Sequence, residues 1–150
     1  MDRKASAIWR GNLKKGKGEL STESGAVKNV PYTFSNRFED VPGTNPEELV
    51  GAAHAGCFSM FLAGALEKKG FIADSLETSA VVTIEKQGDG FTVTSSKLKL
   101  RAQVPDCDAK TFQAIAEDSK ANCPISRLLN TKVTLEVDFH SPLHASSTAH

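Results

Sequence analysis

The stretch PEELVGAAHAGCFSMFLAGALEKKG, residues 46–70, decides the fold. It carries no charged residue between Glu48 and Glu67 and is rich in Ala, Gly, Leu, Phe and Met, which predicts a long helix buried on nearly all sides. Asn45 can cap this helix, Pro46 suits its first turn, and the two glutamates that follow place negative charge at its positive end. A helix is therefore predicted from about Pro46 to Lys69.

Three glycines interrupt the predicted helix, at Gly51, Gly56 and Gly64. Each costs roughly 1 kcal/mol relative to alanine inside a helix, so close approach of another backbone is expected to offset them. One small domain offers little surface to cover such a helix. We therefore hypothesise that a second layer of structure or a partner subunit covers the helix.

The chain before the helix alternates short apolar stretches with turn signals, which predicts a small meander of strands. Residues 31–39 are predicted to be extended, because alternation would place Tyr32, Phe34 and Phe38 on one face and Arg37 on the other.

The chain after the helix predicts a β-hairpin, two helices and a last strand. A Gln-Gly-Asp-Gly turn joins the hairpin strands, Asp106 or Asp108 caps the next helix, and Pro124 separates that helix from a short second one. The hairpin strands are predicted at residues 80–86 and 91–104. The first helix is predicted to end at about residue 122, the second to span residues 124–130, and the last strand to span residues 132–139. Strands grouped in blocks favour an α+β fold.

Composition bounds the class of protein. The 150 residues suit one domain, predicted as residues 1–140, with a polar tail at 141–150. The formal net charge of +0 gives no basic field for nucleic acid, and the sequence indicated no window long enough for a membrane helix, so neither partner is expected. Three cysteines without a secretion signal favour free or redox-active thiols in a cytoplasmic protein. No nucleotide fingerprint is present, and no cofactor is expected.

Cys57 lies in the middle of the long helix, where it is either an inert buried thiol or a peroxidatic one. Reactivity requires a thiolate, which burial disfavours, so a cation must come from elsewhere. Arg37 is the best candidate, with Glu47 or Glu48 to hold its guanidinium. Cys123 stands at a helix start, where a thiolate is favoured.

Two residues near this chemistry have weaker assignments. His54 shares a helix face with Cys57, so a Cys/His hydrolase and a metal site are alternatives. No second close pair of ligands exists, so no metal is predicted, and His54 is expected to pack or to form hydrogen bonds. Cys107 lies between two acids and is assigned no role.

Five motifs taken in order resemble the OsmC family, on the OsmC branch of the OsmC/Ohr superfamily. The likeness runs from about Ile8 to Phe139, and the order of the motifs makes it far more specific than either cysteine alone. The motifs are STESG at 21–25, YTFSNRFE at 32–39, GTNPEEL at 43–49, AAHAGCF at 52–58 and NCP at 122–124.

The resemblance implies an α+β fold with antiparallel sheets around a long central helix, in an intertwined homodimer with active sites at the subunit interface. It implies a thiol-dependent peroxidase that acts in oxidative or osmotic stress defence. Such an enzyme would reduce organic hydroperoxides, and hydrogen peroxide less well, with a dithiol or lipoyl-type reductant. Cys57 would be the peroxidatic thiol, Cys123 the resolving thiol, Arg37 the activating cation and Glu47 its holder.

Apolar side chains near these motifs are candidates to bind the peroxide: Phe34, Phe38, Phe58, Met60 and Phe61. The non-enzymatic alternative is a dimer that binds a small apolar ligand between its helices and uses the cysteines as a redox lock.

Overall fold

The computed structural model describes residues 1–143, and it is an α+β structure with two sheets and one long helix. The elements are β1 (Ala5–Arg10), β2 (Lys17–Thr22), β3 (Val30–Tyr32), α1 (Phe34–Phe38), α2 (Pro46–Lys68), β4 (Ser75–Gln87), β5 (Gly90–Gln103), α3 (Ala109–Asn122), α4 (Pro124–Leu128) and β6 (Lys132–His140). The α+β prediction is thereby confirmed.

The chain divides into two compact units, Met1–Leu49 and Val50–His150. The boundary falls within the first turn of α2. The single domain predicted over residues 1–140 stays a prediction. Of the predicted polar tail, residues 144–150 lie outside the described residues.

The first unit contains the predicted meander, an antiparallel sheet in the order β1-β2-β3. Gly18 on β2 pairs with Trp9 on β1 and with Tyr32 on β3. A side chain at Gly18 would lie only 2.5 Å from the Tyr32 ring and 2.7 Å from the Trp9 ring. Glycine therefore lets the two rings meet across the strand, with centroids 5.4 Å apart.

The prediction that residues 31–39 are extended is wrong after Tyr32, because residues 34–38 form helix α1. The Thr33 backbone N–H donates to Asn36 Oδ1 at 2.9 Å, and the Asn36 N–H donates back to Thr33 Oγ1 at 3.3 Å. This reciprocal capping box begins a helix where the alternation of aromatic residues favoured a strand. Phe34 and Phe38 still share a face, now as an i, i+4 helical pair with ring centroids 5.0 Å apart.

The second unit contains a sheet in the order β4-β5-β6. The predicted hairpin turn is confirmed, since Gln87 pairs with Gly90. β6 runs parallel to β5, whereas the other strand pairs are antiparallel, because α3 and α4 carry the chain back before it re-enters the sheet. The inward side of β5 is buried from Ser96 onward, as the alternation predicted, with Leu98, Leu100 and Ala102 at 0% exposure.

Helix α2 begins at Pro46 as predicted, with Asn45 Oδ1 accepting from the Glu48 N–H at 2.7 Å. Within the second unit, Phe58, Leu62 and Leu66 place its buried face in a core shared with β5 and α3. Gly51 meets β4 closely, since a Cβ there would lie 3.4 Å from Val82 Cγ2.

The opposite face of α2 is exposed, so the prediction of burial on nearly all sides is wrong for the single chain. This exposed stripe consists of small or apolar residues: Ala52, Ala53, Gly56, Met60 and Ala63. A Cβ at Gly56 or at Gly64 would meet nothing within 4 Å in the described part of the chain. These two glycines thus have no offsetting contact there.

The prediction that no window reaches the length of a membrane helix is also wrong. α2 spans 23 residues, and an 18-residue window within it has a mean hydropathy of 1.6, because alanine and glycine extend its uncharged run. Such a helix is long and apolar enough to cross a membrane, but a core helix of a soluble protein has the same composition.

Candidate active site

Two thiols from distant parts of the sequence meet in the second unit. Cys57 lies in the middle of α2 and is partly exposed, and Cys123 lies at the junction of α3 and α4 and has 0% exposure. The two thiols lie close enough to interact, and the Cys57 thiol also interacts with the backbone of Ile125. All three cysteines are free. The fold therefore places the two sulfur atoms next to each other.

Burial raises the pKa of Cys57, and the neighbouring Cys123 thiol raises it further, while the backbone of Ile125 opposes both. This direction confirms that a thiol in mid-helix is not activated by its position alone. Within the second unit Cys57 is therefore favoured as a thiol, and a thiolate needs additional positive charge.

Cys123 caps helix α4, as the sequence indicated. Its sulfur accepts from the Ser126 N–H at 3.4 Å, and its S–H donates to Ser126 Oγ at 3.1 Å. Pro124 occupies the first turn, which separates this helix from α3. The junction thereby turns the Cys123 sulfur toward Cys57.

His54 is fully buried on α2 and belongs to the same constellation. Its Nδ1 lies 2.6 Å from Ser96 Oγ, and its Nε2 lies 2.7 Å from Ser126 Oγ. Both ring nitrogens are occupied by serines, so the ring does not form the His–Cys57 pair that a thiol hydrolase would need. Burial lowers the pKa of His54, which keeps the ring neutral near neutral pH.

The sequence indicated hydrogen bonding for His54 but not its partners. Ser96 had a detectable signal, because it is a polar residue two positions before Leu98 on the apolar face of β5. Ser126 had none, since only the fold brings α4 to α2.

Arg37 and Glu47 form a close ion pair in the first unit. Nε and Nη2 of Arg37 donate to Glu47 Oε1 at 3.0 and 2.9 Å, and Nε also lies 3.3 Å from Oε2. Glu47 is buried, whereas the Arg37 side chain is 39% exposed. Glu48 points to solvent, so the structure selects Glu47 of the two predicted holders.

The guanidinium of Arg37 also borders an aromatic cavity. It lies 4.9 Å over the ring of Phe38, and Phe34 and Phe38 line a cavity of about 220 Å³ with Arg37, Trp9 and Tyr32. A cation at the edge of an apolar cavity can orient a polar group on an apolar molecule.

The three other predicted binding residues lie on α2 in different environments. Phe58 is fully buried in the core, where it cannot contact a peroxide, because the core packing holds it. Phe61 and Met60 line a cavity of about 380 Å³ with Lys68 and Lys69, and Met60 is 80% exposed.

Residues 38–138 match the OsmC-like protein family. The chain is also 47% identical over 139 residues to the peroxiredoxin OsmC of Escherichia coli, covering 93% of this chain and 97% of that protein, and equally to that of Shigella flexneri.

The chain belongs to the OsmC family. The resemblance seen in the sequence motifs is thus confirmed. The OsmC match covers both cysteines together with Glu47, and the alignment to the Escherichia coli relative extends over nearly the whole chain.

Solved structures confirm the OsmC/Ohr-like fold. An OsmC-like protein from Vibrio cholerae has a TM-score of 0.72 and 17% identity, and covers 91% of this chain and 99% of its own. The organic hydroperoxide resistance protein OhrB of Bacillus subtilis has a TM-score of 0.64 and 22% identity, with coverage of 91% and 97%.

Outside the OsmC motifs, Cys107 has no evident partner in catalysis. It is buried, and burial followed by the charge of Asp108 raises its pKa, so it is a poor nucleophile. Among residues 1–143, no group of three or more His, Cys, Asp or Glu side chains is placed to hold a metal ion.

Proposed function

We propose that this chain is a thiol-dependent peroxidase that reduces organic hydroperoxides, with Cys57 as the peroxidatic thiol. The observation that carries the proposal is the contact between Cys57 and Cys123, two free thiols brought together only by the fold. The names of its relatives, a peroxiredoxin and an organic hydroperoxide resistance protein, support the same activity.

The proposed cycle has three steps. The Cys57 thiolate attacks the distal peroxide oxygen, the O–O bond breaks, and the alkoxide takes a proton and leaves as alcohol. The sulfenic acid of Cys57 then condenses with the Cys123 thiol, which forms a disulfide and releases water. A dithiol or lipoyl-type reductant returns both cysteines to thiols by exchange.

Arg37 is proposed as the cation that Cys57 needs. Its guanidinium is held by Glu47 through Nε and Nη2, and the remaining terminal nitrogen, Nη1, is proposed to stabilise the thiolate. Phe34 and Phe38, which line the cavity beside Arg37, are proposed to bind the apolar part of an organic peroxide.

A homodimer is proposed from the exposed stripe of α2. Ala52, Ala53, Gly56, Met60 and Ala63 form a face of small apolar residues, which would be buried if the same helix of a second copy packed on it. The glycines would then allow the two helices to approach closely. We expect light scattering to give twice the chain mass at micromolar concentration, and a monomeric mass would contradict this proposal.

Replacing Cys123 with serine is expected to stop the cycle at the sulfenic acid. Without the resolving thiol, one equivalent of cumene hydroperoxide should leave about one sulfenic acid per chain, because its partner for condensation is missing. A dimedone-type probe followed by mass spectrometry of the Cys57 peptide measures it.

The matched control is Cys107→Ser, in which the disulfide should still form and little probe should be incorporated. If the Cys123→Ser protein incorporates no probe at Cys57, the resolving role of Cys123 is contradicted.

A further inference from the structure

A series of hydrogen-bonded polar groups, all buried except the half-buried Ser126, crosses the second unit and ends at the reacting thiols. It begins at Ser96 on β5, passes through His54 on α2 and Ser126 on α4, and reaches Cys123. Its successive distances are 2.6, 2.7 and 3.1 Å, and the first, second and last of these residues have 0% exposure. Cys57 lies next to its end.

Such a chain is costly to build in an apolar core unless every group has a partner. Three elements contribute to it, whereas the neighbouring inward positions of β5 are Leu98, Leu100 and Ala102. Apolar side chains could therefore have packed at this site as well. That Ser96, His54, Ser126 and Cys123 are all polar and all hydrogen-bonded indicates a functional role for the series.

One arrangement of protons satisfies every bond in the chain. The S–H of Cys123 donates to Ser126 Oγ, the O–H of Ser126 donates to His54 Nε2, and the N–H at Nδ1 of His54 donates to Ser96 Oγ. Every donor then points away from Cys123, which is the direction in which its proton must leave. A neutral imidazole, favoured by burial, can accept at Nε2.

We propose that Ser126 and His54 form a proton relay for the resolving step. This relay rests on the proposed function. The step begins when the S–H bond of Cys123 breaks and its proton passes to Ser126 Oγ, while the Ser126 proton passes to His54. The Cys123 thiolate attacks the sulfur of the Cys57 sulfenic acid, whose S–O bond breaks. The departing hydroxide takes up a proton, which His54 returns through Ser126, and leaves as water.

The relay needs no outside oxidant, since the sulfenic sulfur is reduced as Cys123 is oxidised to the disulfide. Ser126 contacts a reacting atom and is a catalytic residue in this step. His54 acts through Ser126 and is a positioning residue.

The test separates the two half-reactions in Ser126→Ala. Rapid quenching after one equivalent of tert-butyl hydroperoxide, with mass spectrometry, follows sulfenic acid and disulfide in the same samples. We expect sulfenic acid to form as in the unchanged protein and the disulfide to form about 100-fold more slowly, the range of general acid–base catalysis. Ser126→Thr, which keeps the hydroxyl, should restore much of the rate.

A pH profile distinguishes a relay from a displaced thiol. The titratable groups that the described interactions place around Cys123 are Cys57 and, through Ser126, His54, while β5 contributes the neutral Ser96. Without the relay, the slowdown should shrink as pH rises, because solvent hydroxide then removes the proton. A misplaced Cys123 would be slow by the same factor at every pH.

Ser119→Ala is the matched control, because Ser119 is also fully buried but its hydroxyl donates to the Ile115 carbonyl and takes no part in the relay. Its disulfide rate should not change. Equal disulfide rates in Ser126→Ala and the unchanged protein, or a slowdown independent of pH, would overturn the relay. Absence of sulfenic acid in the Cys123→Ser variant would instead contradict the proposed cycle itself, including the resolving role of Cys123.

Discussion

Replacing Cys57 with serine is expected to abolish peroxide consumption, with a loss of at least about 1000-fold in turnover of tert-butyl or cumene hydroperoxide with excess dithiol. The serine hydroxyl has nearly the same size, but it does not ionise near neutral pH and cannot replace a thiolate as nucleophile. The measurement is loss of hydroperoxide with time under saturating reductant.

The chain offers a matched control in Cys107→Ser, which also exchanges a buried sulfur for oxygen. Its turnover should stay near that of the unchanged protein, because Cys107 has no interaction with the thiol pair among those described and has a raised pKa. If Cys57→Ser retained turnover, or if both serine variants lost it equally, Cys57 would not be the peroxidatic residue.

The same assay addresses the non-enzymatic alternative. A dimer that used its cysteines only as a redox lock would consume one equivalent of peroxide and stop, whereas a peroxidase continues while reductant lasts. Sustained turnover that depends on Cys57 would therefore exclude the lock.

Much of the fold could be predicted because its strongest periodicities are local. β5 and α3 each place a regular apolar set on one face, and the buried residues follow that pattern, including Phe112 and Ile115. The prediction of an extended conformation failed at residues 34–38, because the capping box of Thr33 and Asn36 outweighed the alternation of aromatic residues. Local hydrogen bonds set the conformation of this five-residue segment, which the hydrophobic pattern alone did not predict.

Some residues of the candidate site could be predicted from the sequence, and others could not. The two cysteines and the Arg37–Glu47 pair were predictable, because each residue carries a chemistry that needs a partner. Ser126 was not, because a serine three residues after Cys123 is ordinary at a helix start. Its meaning comes from His54, and only the tertiary fold brings the two within 2.7 Å.

Replacing Arg37 with alanine is expected to lower turnover near neutral pH by about 100-fold. Burial and the neighbouring Cys123 raise the pKa of Cys57, so a reactive Cys57 needs a cation that lowers it. Removing that cation raises the pKa, and each unit of increase leaves tenfold less thiolate at a fixed pH below it. Activity should therefore recover as pH rises, because hydroxide then deprotonates Cys57 and forms the thiolate that Arg37 otherwise stabilises.

The rate of Cys57 alkylation by iodoacetamide across pH measures this shift directly and without peroxide. Arg101→Ala is the matched control, since Arg101 also lies beside a glutamate, Glu77 at 3.9 Å, but both side chains are exposed on the sheet. Its alkylation profile should match that of the unchanged protein. An unchanged profile in Arg37→Ala would remove Arg37 from the mechanism.

Glu47→Gln tests whether Glu47 acts through Arg37. The amide keeps the shape of the side chain but loses the charge that holds Nε and Nη2, so a smaller loss of about 10-fold is expected. If Glu47 only positions Arg37, the double variant Arg37→Ala with Glu47→Gln should be no slower than Arg37→Ala alone. Additive losses would instead mean that Glu47 contributes to turnover by a route independent of Arg37.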